Sequence, residues 1–502
     1  MGCCDSRQED PKADNSPKKG KLKRKRFTKN YTKNSKNKSQ DDELSRKATA
    51  QTHVLKIDPS WVRENFSVIK KFQETQFGDS KLAVDKRFNC QRIIKEINKT
   101  IINPKAKDSD WNELNIILEL DHPGIEKVYD IMITNDKIYF VLEYLKGDSL
   151  FTRILDHGIN EQQASNYIGE ILKIMQFYHS KGIVHKSIRP ENIVFESKSR
   201  DALLKLKDFG ESSRIFDSPY RLEFFHYMSP EMLKGDYSHA ASDIWSLGVI
   251  LFVMMTGKHP FPSDTPAILT QKINKGLLLS DSFFSIYSND LKDFLTKILT
   301  IEHSRRITAS EALKHPWIIN NDKHNSLPGE SKQAAIQLTK FHVQSMIEKA
   351  IFSYVVKQFS NFSEEKEYIK IFKSLDTNND GSIGKEELIE GCKILSIENS
   401  SEIEKIISAC DIDGDGKIEF TEFIVAATNW NTSEQIEKLR KAFKSFDKSG
   451  DGQLSVGELK VAVPGFENSQ WDKFFEKADI SNDGKISFEE FQRILLKESK
   501  VN

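Results

Sequence analysis

Residues 376–387 read DTNNDGSIGKEE, and three later stretches repeat the pattern: DIDGDGKIEFTE at 411–422, DKSGDGQLSVGE at 447–458 and DISNDGKISFEE at 479–490. Each stretch has aspartate first, oxygen-bearing side chains third and fifth, glycine sixth and glutamate twelfth. The glycine permits a sharp turn that brings these oxygens toward one point. The last third of the chain is therefore predicted to hold four sites for a hard divalent cation.

This spacing is that of the EF-hand calcium loop, in which side chains at positions 1, 3, 5 and 12 and the backbone carbonyl at position 7 bind Ca²⁺. The predicted ligands, loop by loop, are Asp376, Asn378, Asp380, Ser382 and Glu387; Asp411, Asp413, Asp415, Lys417 and Glu422; Asp447, Ser449, Asp451, Gln453 and Glu458; and Asp479, Ser481, Asp483, Lys485 and Glu490. No ligand position is lost, which disfavours degenerate hands kept only for packing.

The residues at position 8 are apolar and suited to pairing the loops two by two: Ile383, Ile418, Leu454 and Ile486. Paired loops predict an all-α, calmodulin-like region of two lobes. The first lobe would span residues 365–430 and the second residues 434–498.

At 502 residues the chain exceeds the roughly 250–300 residues at which one hydrophobic core stops growing, so several domains are expected. Cys90, Cys392 and Cys410 are scattered without metal or disulfide spacing, which favours a reducing cytosolic setting. The strongest apolar run, GVILFVMM from Gly248, is about half the roughly 18 residues that a membrane span needs. It predicts a buried core helix.

The chain begins MGCCDS, which fits N-myristoylation of Gly2, with Cys3 and Cys4 placed for a palmitoyl chain. One myristoyl chain binds a bilayer only marginally, with an association constant of about 10⁴ M⁻¹, so stable anchoring needs a second signal. The basic run KKGKLKRKRFTKNYTKNSKNK at 18–38 adds attraction to anionic lipids.

Alone, that basic run would indicate a solvated tail, a nuclear-import signal or a nucleic-acid patch. Beside the acylation motif it favours a disordered, lipidated tail over residues 1–50. The expected partner is then an anionic membrane surface and not a nucleic acid. The expected location is the cytoplasmic face of a membrane, with a possible cytosolic pool.

The middle of the chain carries motifs in a fixed order: RIIKEI, WNELNIILELDHP, YFVLEY, RPENIVF, KDFGE, MSPE, SDIWSLG and SRRIT. In order and spacing they resemble a protein kinase. The resemblance implies a bilobal α+β fold over residues 66–317, with an N-lobe at 66–143 and a C-lobe at 144–317. It also implies ATP with Mg²⁺ as cofactor, bound by Gly78, Lys95, Glu113, Glu143, Asn192 and Asp208.

The catalytic loop departs from this pattern, reading HKSIRPEN at 185–192 where active kinases have HRDLKPEN. Ser187 replaces the aspartate that accepts the proton of the substrate hydroxyl. An uncharged serine cannot be that base, and general-base catalysis contributes typically 10²–10⁴-fold. Arg189 replaces a lysine that contacts the transferred phosphoryl group, and Gln73 and Thr75 replace two glycines of the phosphate-covering loop. Nucleotide binding is expected to survive, and phosphoryl transfer to be impaired.

A kinase, a junction and four EF-hands in one chain resemble the calcium-dependent protein kinases. Apolar residues recur near helical spacing in the junction, residues 331–362. The resemblance implies an autoinhibitory helix that lies on the kinase at rest and in an opened EF-hand lobe with calcium. A packed linker helix is the plainer alternative.

The expected function is that of a membrane-anchored, calcium-gated signalling protein of the pseudokinase type, which acts on protein substrates or partner proteins. A working Ser/Thr kinase with a slow catalytic loop is the main alternative. A calcium buffer is less favoured, because it explains neither the lipidation signals nor the retained Lys95 and Asp208.

Overall fold

The protein is described by a computed structural model that covers residues 54–56, 58–75, 78–99, 120–199, 202–209, 225–236, 239–277, 286–321, 337–338, 341, 345–360, 362–394, 400–412, 414–463 and 465–496. All of these residues belong to one compact unit, residues 41–502. Within it a kinase-like part precedes a helical part that carries the calcium loops. Among the described helices, none is both long enough and apolar enough to cross a bilayer.

A six-stranded sheet forms the first lobe. Its strands are β1 (Val54–Lys56), β2 (Phe66–Thr75), β3 (Gly78–Asp85), β4 (Cys90–Asn98), β5 (Val128–Ile133) and β6 (Lys137–Leu142). A short helix, α1 (Pro59–Asn65), lies between β1 and β2 in the chain. The strand order is β1-β5-β6-β4-β3-β2. Strands β2 to β6 pair antiparallel, whereas β1 pairs parallel with β5. The sheet thus gains a strand from before the predicted lobe boundary at residue 66.

The second lobe is mainly helical. Its elements are α2 (Leu150–His157), α3 (Glu161–Ser180), the hairpin β7 (Ile193–Phe195) and β8 (Leu204–Leu206), α4 (Pro230–Leu233), α5 (Ala241–Thr256), α6 (Pro266–Asn274), α7 (Asn289–Ile298), α8 (Ala309–Leu313) and α9 (Pro316–Ile319). Helix α5 contains the apolar run from Gly248, and Val249, Ile250 and Leu251 are fully buried. The prediction of a buried core helix there is confirmed.

One buried ion pair links distant parts of this lobe. The guanidinium of Arg306 donates to both carboxylate oxygens of Glu231, with Nη1–Oε1 and Nη2–Oε2 distances of 2.6 and 3.1 Å. Ser242 donates its hydroxyl to the same carboxylate at 2.9 Å. Both side chains of the pair are almost entirely buried, at 0% and 6% exposure, so each charge depends on the other for compensation.

The carboxy-terminal part is built from helices α10 (Met346–Phe359), α11 (Phe362–Leu375), α12 (Lys385–Ile394), α13 (Ser400–Cys410), α14 (Phe420–Ala427), α15 (Ser433–Phe446), α16 (Val456–Ala462), α17 (Asn468–Ala478) and α18 (Phe488–Leu496), with strands β9 (Ser382–Ile383) and β10 (Ile418–Glu419) between them. The position-8 residues pair as predicted, Ile383 with Ile418 and Leu454 with Ile486. The α+β fold class, a bilobal kinase fold followed by an all-α calcium-binding region, is confirmed.

The junction contains a shorter helix than the predicted segment 331–362. Phe341 and Ser345 are not helical, and α10 begins only at Met346. The Ser345 hydroxyl accepts the Glu348 N–H at 3.2 Å, an N-cap bond that starts a helix at the next residue. The single predicted helix is therefore interrupted: residues 337–338 are helical, Phe341 and Ser345 are not, and a separate helix begins at Met346.

Helix α10 packs its apolar face into the core of the EF-hand region. Ile347, Ile351, Phe352 and Val355 are at most 2% exposed and share one hydrophobic cluster with the helices that flank the calcium loops. The ring of Phe352 lies 4.4 Å from that of Trp430, centroid to centroid. In this structure the apolar stripe of the junction is thus covered by the calcium-binding part.

Candidate functional site

Strand β4 and the segment after β8 bring Lys95 and Asp208 together. Lys95 Nζ forms an ion pair with Asp208 Oδ1. Asp208 has a φ of 75°, in the left-handed region that residues other than glycine seldom adopt. Burial alone would raise the pKa of Asp208, but the charges of Lys95, Lys207 and Arg189 outweigh it and hold the pKa well below its usual range. Asp208 is therefore an ionised carboxylate, as a Mg²⁺ ligand must be.

A pocket opens beside this ion pair. Its lining residues are Lys95, Leu120, Ile125, Glu126, Val128, Phe140, Leu142, Asp208 and Phe209. Apolar side chains dominate and a few charged groups converge, which is typical of a small-molecule site. The pocket lies between the two lobes, where the kinase resemblance places the nucleotide.

Glu126 is a pocket residue that sequence analysis missed. It is 8% exposed, and its Oε2 accepts the backbone N–H of Asp208 at 3.4 Å. Burial raises the pKa of Glu126 to about 8, although the charge of Lys207 opposes the shift. The sequence HPGIEKVYD gives little signal, because Glu126 stands there beside Lys127 and resembles an ordinary surface residue.

The side chain of Glu143 is placed differently from the other predicted nucleotide-binding groups. It accepts two bonds from Lys205 Nζ, at 2.9 and 2.7 Å, and one from the Lys127 backbone N–H at 3.1 Å. Lys205 is 1% exposed, so this pair is buried beneath the connection between the lobes. The Glu143 carboxylate therefore anchors that connection and does not line the pocket.

The catalytic loop is held by Asp243 of α5. Its carboxylate accepts the backbone N–H groups of His185 and Lys186, each at 2.9 Å. The His185 ring lies 4.5 Å from that of Phe209, which also packs against Tyr178. The loop thus has a defined conformation that joins it to the Asp208 segment.

Ser187 stands at the centre of this loop. The Asn192 amide donates to the Ser187 carbonyl at 2.9 Å and to its Oγ at 3.3 Å. The hydroxyl is thus bonded to a predicted metal ligand, and it carries no charge at neutral pH. A neutral hydroxyl therefore stands at the position for which the kinase resemblance implies a carboxylate.

The nearest acidic residue along the chain is Glu191. Burial and then the charge of Glu191 raise the pKa of Tyr227 to about 12, although the charge of Arg189 opposes the shift. Among the described residues, no hydrogen bond joins Glu191 to Ser187.

Five of the predicted site residues lie outside the described part of the chain, and the phosphate-covering loop is described only at its two ends. Glu113, Asp413 and the lipidation residues Gly2, Cys3 and Cys4 lie outside the described residues. Thr75 of β2 pairs with Gly78 of β3, so two residues connect the strands where the phosphate-covering loop was predicted. Gln73 and Thr75 continue β2 to this connection.

Loop 1 has the ligand geometry expected of an EF-hand. The Asp376 carboxylate accepts the backbone N–H groups of Asp380 and Gly381, each at 3.0 Å. The Glu387 carboxylate accepts the N–H groups of Asn378 at 3.0 Å and Gly384 at 2.9 Å. Burial raises the pKa of Asp376 to about 7, and the charges of Glu387 and Asp380 add to the shift. Several carboxylates therefore converge, as a Ca²⁺ site requires.

The other loops repeat this arrangement. Position 6 is a glycine with φ between 79° and 84° in all four: Gly381, Gly416, Gly452 and Gly484. The position-12 carboxylates each accept N–H groups from both ends of their loop: Glu422, Glu458 and Glu490. The residues present thus fit Ca²⁺.

Among the described residues, no three Asp, Glu, His or Cys side chains by themselves form a metal cluster. EF-hand loops do not need one, because amide, hydroxyl and backbone oxygens complete the ligand set.

The first EF-hand lobe is seated on the kinase helix α3. Gly381 lies so close to the Phe177 ring that an added Cβ would stand 2.2 Å from Phe177 Cδ2. Gln176 donates its amide to the Asn378 carbonyl at 2.7 Å, and Lys181 pairs with Glu419 at 2.6 Å. Calcium loop 1 is thus part of the surface that joins the two parts of the chain.

A protein kinase domain model matches residues 66–318, and an EF-hand domain pair model matches residues 365–428 and 436–496. The chain is 30% identical over 458 residues to calcium-dependent protein kinase 4 of Plasmodium berghei (strain Anka), covering 86% of this chain and 87% of the relative. It is 30% identical over 441 residues to calcium-dependent protein kinase 33 of Arabidopsis thaliana, covering 85% and 83%.

A third relative, calcium-dependent protein kinase 9 of Arabidopsis thaliana, is 29% identical over 464 residues, covering 89% of this chain and 84% of the relative. The matches span both the kinase part and the calcium loops. Binding of Ca²⁺ by the EF-hands and of ATP with Mg²⁺ by the kinase domain follows from them. The chain therefore belongs to the calcium-dependent protein kinase family.

Proposed function

We propose that this chain is a membrane-anchored calcium sensor that relays calcium binding through an ATP-binding kinase domain with impaired phosphoryl transfer. The observation that carries the proposal is Ser187. Its hydroxyl accepts a hydrogen bond from the Asn192 amide at 3.3 Å, at the position where kinases hold a carboxylate base. Asp243 holds the loop through the backbone N–H groups of His185 and Lys186, so the proposal rests on the chemistry of the Ser187 side chain.

Nucleotide binding is supported by the groups that survive. Lys95 would contact the phosphates, and Asp208 and Asn192 would hold Mg²⁺, which neutralises developing phosphate charge when bound. Lys95 and Asp208 form an ion pair, and both line the pocket. Arg189 retains the positive charge of the lysine that it replaces but has a planar, forked head.

The relay would pass through the junction helix α10. Lys349 on this helix donates its Nζ to the backbone carbonyls of Ser408, at 3.1 Å, and Asp411, at 2.7 Å. Asp411 is the first residue of calcium loop 2, so a change in that loop reaches α10 directly. We propose that calcium controls how firmly the EF-hand core holds α10, and that the kinase domain presents the result to partner proteins.

The alternative is an active calcium-dependent Ser/Thr kinase. The packing of His185 against Phe209 and the bonds of Asp243 to the catalytic loop favour it, because they give the ordered site that transfer needs. Metal ions and positioning supply much of the rate in this reaction. A slow enzyme is thus compatible with Ser187.

The test is γ-phosphate transfer by the purified full-length chain, with Mg²⁺-ATP and a generic basic peptide, with and without calcium. Lys95→Met is the control that removes the phosphate contact. We expect the wild-type rate to equal that of Lys95→Met, while a nucleotide-dependent rise in melting temperature is seen for the wild type only. Calcium-stimulated turnover that Lys95→Met abolishes would instead establish the active kinase.

Membrane attachment is a separate part of the proposal. We expect Gly2→Ala to lower binding to phosphatidylserine vesicles by at least tenfold, because it removes the acyl chain and leaves only the basic run. The measurement is co-sedimentation of protein produced together with an N-myristoyltransferase. Cys3→Ser with Cys4→Ser should cause a smaller loss when palmitoylation is permitted. Equal binding of Gly2→Ala and wild type would contradict anchoring through Gly2.

A further inference from the structure

Lysines at position 7 of two calcium loops contact carboxylates of the neighbouring loop. Lys417 of loop 2 places its Nζ 2.7 Å from Oδ2 of Asp380, the position-5 ligand of loop 1. Lys485 of loop 4 forms the same ion pair with Asp451, the position-5 ligand of loop 3. Both EF-hand lobes therefore have the same arrangement, in which a lysine of the second loop lies against a calcium ligand of the first loop.

Loop pairing explains why these side chains cross. Ile383 pairs with Ile418 in the first EF-hand lobe. In the second EF-hand lobe, Leu454 and Ile486 exchange two backbone hydrogen bonds, of 2.8 and 2.9 Å. Position 7 immediately precedes the paired residue, so a long side chain there reaches over the strand to position 5 of the partner loop.

The first loop of each pair has a neutral residue at position 7. Ser382 is too short to cross, and its hydroxyl donates to Asp380 of its own loop at 2.6 Å. Gln453 does cross, and its amide donates to Asp483 of loop 4 at 3.1 Å. A position-7 side chain thus reaches the partner loop whether it is a charged lysine or a neutral glutamine. Comparing the two separates the effect of the charge from that of the contact.

A fixed positive charge beside a calcium ligand opposes the binding of a divalent cation. In Asp380, Oδ1 accepts the Ser382 N–H at 3.0 Å within the loop, while Oδ2 faces Lys417. In Asp451, Oδ1 likewise accepts the Gln453 N–H at 3.0 Å, while Oδ2 faces Lys485. The lysine competes for the carboxylate and repels the incoming ion.

We propose that Lys417 and Lys485 act across the paired loops to lower the calcium affinity of loops 1 and 3. The calcium concentration to which each lobe responds is then set in part by one side chain of the neighbouring loop. This inference concerns calcium binding by the family's EF-hands, and it holds whether or not phosphoryl transfer is impaired.

The test is calorimetric calcium titration of the full chain with loops 3 and 4 silenced by Glu458→Gln and Glu490→Gln. In this background we expect Lys417→Gln to lower the calcium concentration at half-saturation by about three- to tenfold, and Lys417→Arg to leave it within about twofold. The difference should shrink at 0.5 M KCl, because screening weakens exposed charges. Lys417 is 43% exposed in its side chain, so both variants should fold, which equal melting temperatures would verify.

The reciprocal variant adds a charge where the chain has none. With loops 1 and 2 silenced by Glu387→Gln and Glu422→Gln, Gln453→Lys should weaken calcium binding and Lys485→Gln should strengthen it. Opposite shifts of these two variants would support the inference. An unchanged isotherm for Lys417→Gln, or the same shift for Lys417→Gln and Lys417→Arg, would overturn it, since charge would then not be the cause.

Discussion

Replacing Ser187 by aspartate is expected to raise the rate of γ-phosphoryl transfer by about 10²-fold or more. The new carboxylate would accept the proton of the substrate hydroxyl, and general-base catalysis is worth typically 10²–10⁴-fold. The surrounding loop is already held by Asp243 and already positions Asn192, so no backbone rearrangement is needed. The measurement is initial-rate transfer to a basic peptide from Mg²⁺-ATP under saturating calcium.

Two controls sharpen this experiment. Ser187→Asn has nearly the same size as the aspartate variant but no charge, so it should stay at the wild-type rate. Arg189→Lys in the Ser187→Asp background restores the family residue that contacts the phosphoryl group, and should raise the rate further. A Ser187→Asp variant no faster than Ser187→Asn would show that loss of the base is not what limits the reaction.

Removing the guanidinium of Arg306 should destabilise the kinase domain by about 3–5 kcal/mol, the usual cost of leaving a buried charge unpaired. In Arg306→Met the apolar stem is retained, but the Glu231 carboxylate loses both of its bonds from the guanidinium. Arg306 also donates to the backbone carbonyls of Ala241 and Thr300, at 2.6 and 2.9 Å, and these would lose that donor. The measurement is the free energy of unfolding from chemical denaturation of the full chain, followed by fluorescence.

The matched control is an exposed ion pair in the same lobe. Lys297 pairs with Asp293 at 2.7 Å on α7, with side chains 49% and 55% exposed. Lys297→Met should change the free energy of unfolding by less than about 1 kcal/mol, because water solvates the remaining carboxylate. Similar losses for Arg306→Met and Lys297→Met would contradict the argument that burial makes the first pair costly to break.

The parts of this molecule that could be predicted from sequence are those encoded locally. A calcium loop is defined by twelve consecutive residues, and the apolar residue at position 8 foretells the pairing of Leu454 with Ile486. The departure of Ser187 from the family motif is likewise visible in the sequence, because the neighbouring motif residues fix its position in the chain.

Other features depend on tertiary contacts that no local pattern encodes. Glu126 looks like a surface residue in sequence, yet the fold buries it beside Asp208. Helix α10 begins after the N-cap bond at Ser345, although the apolar pattern of the junction sequence predicts a longer helix. The ion pair of Lys417 with Asp380 forms only when the two loops lie back to back, so the sequence of either loop alone does not predict it.

The contact of Gly381 with Phe177 has a thermodynamic meaning for the whole chain. Calcium loop 1 packs against kinase helix α3. An ion that stabilises the loop in this packed conformation therefore also stabilises its contact with the helix. Linkage is reciprocal, so if calcium binding changes the affinity of the interlobe cleft for a ligand by some factor, that ligand changes the calcium affinity by the same factor. An isolated EF-hand fragment would then report an affinity that the intact molecule does not have.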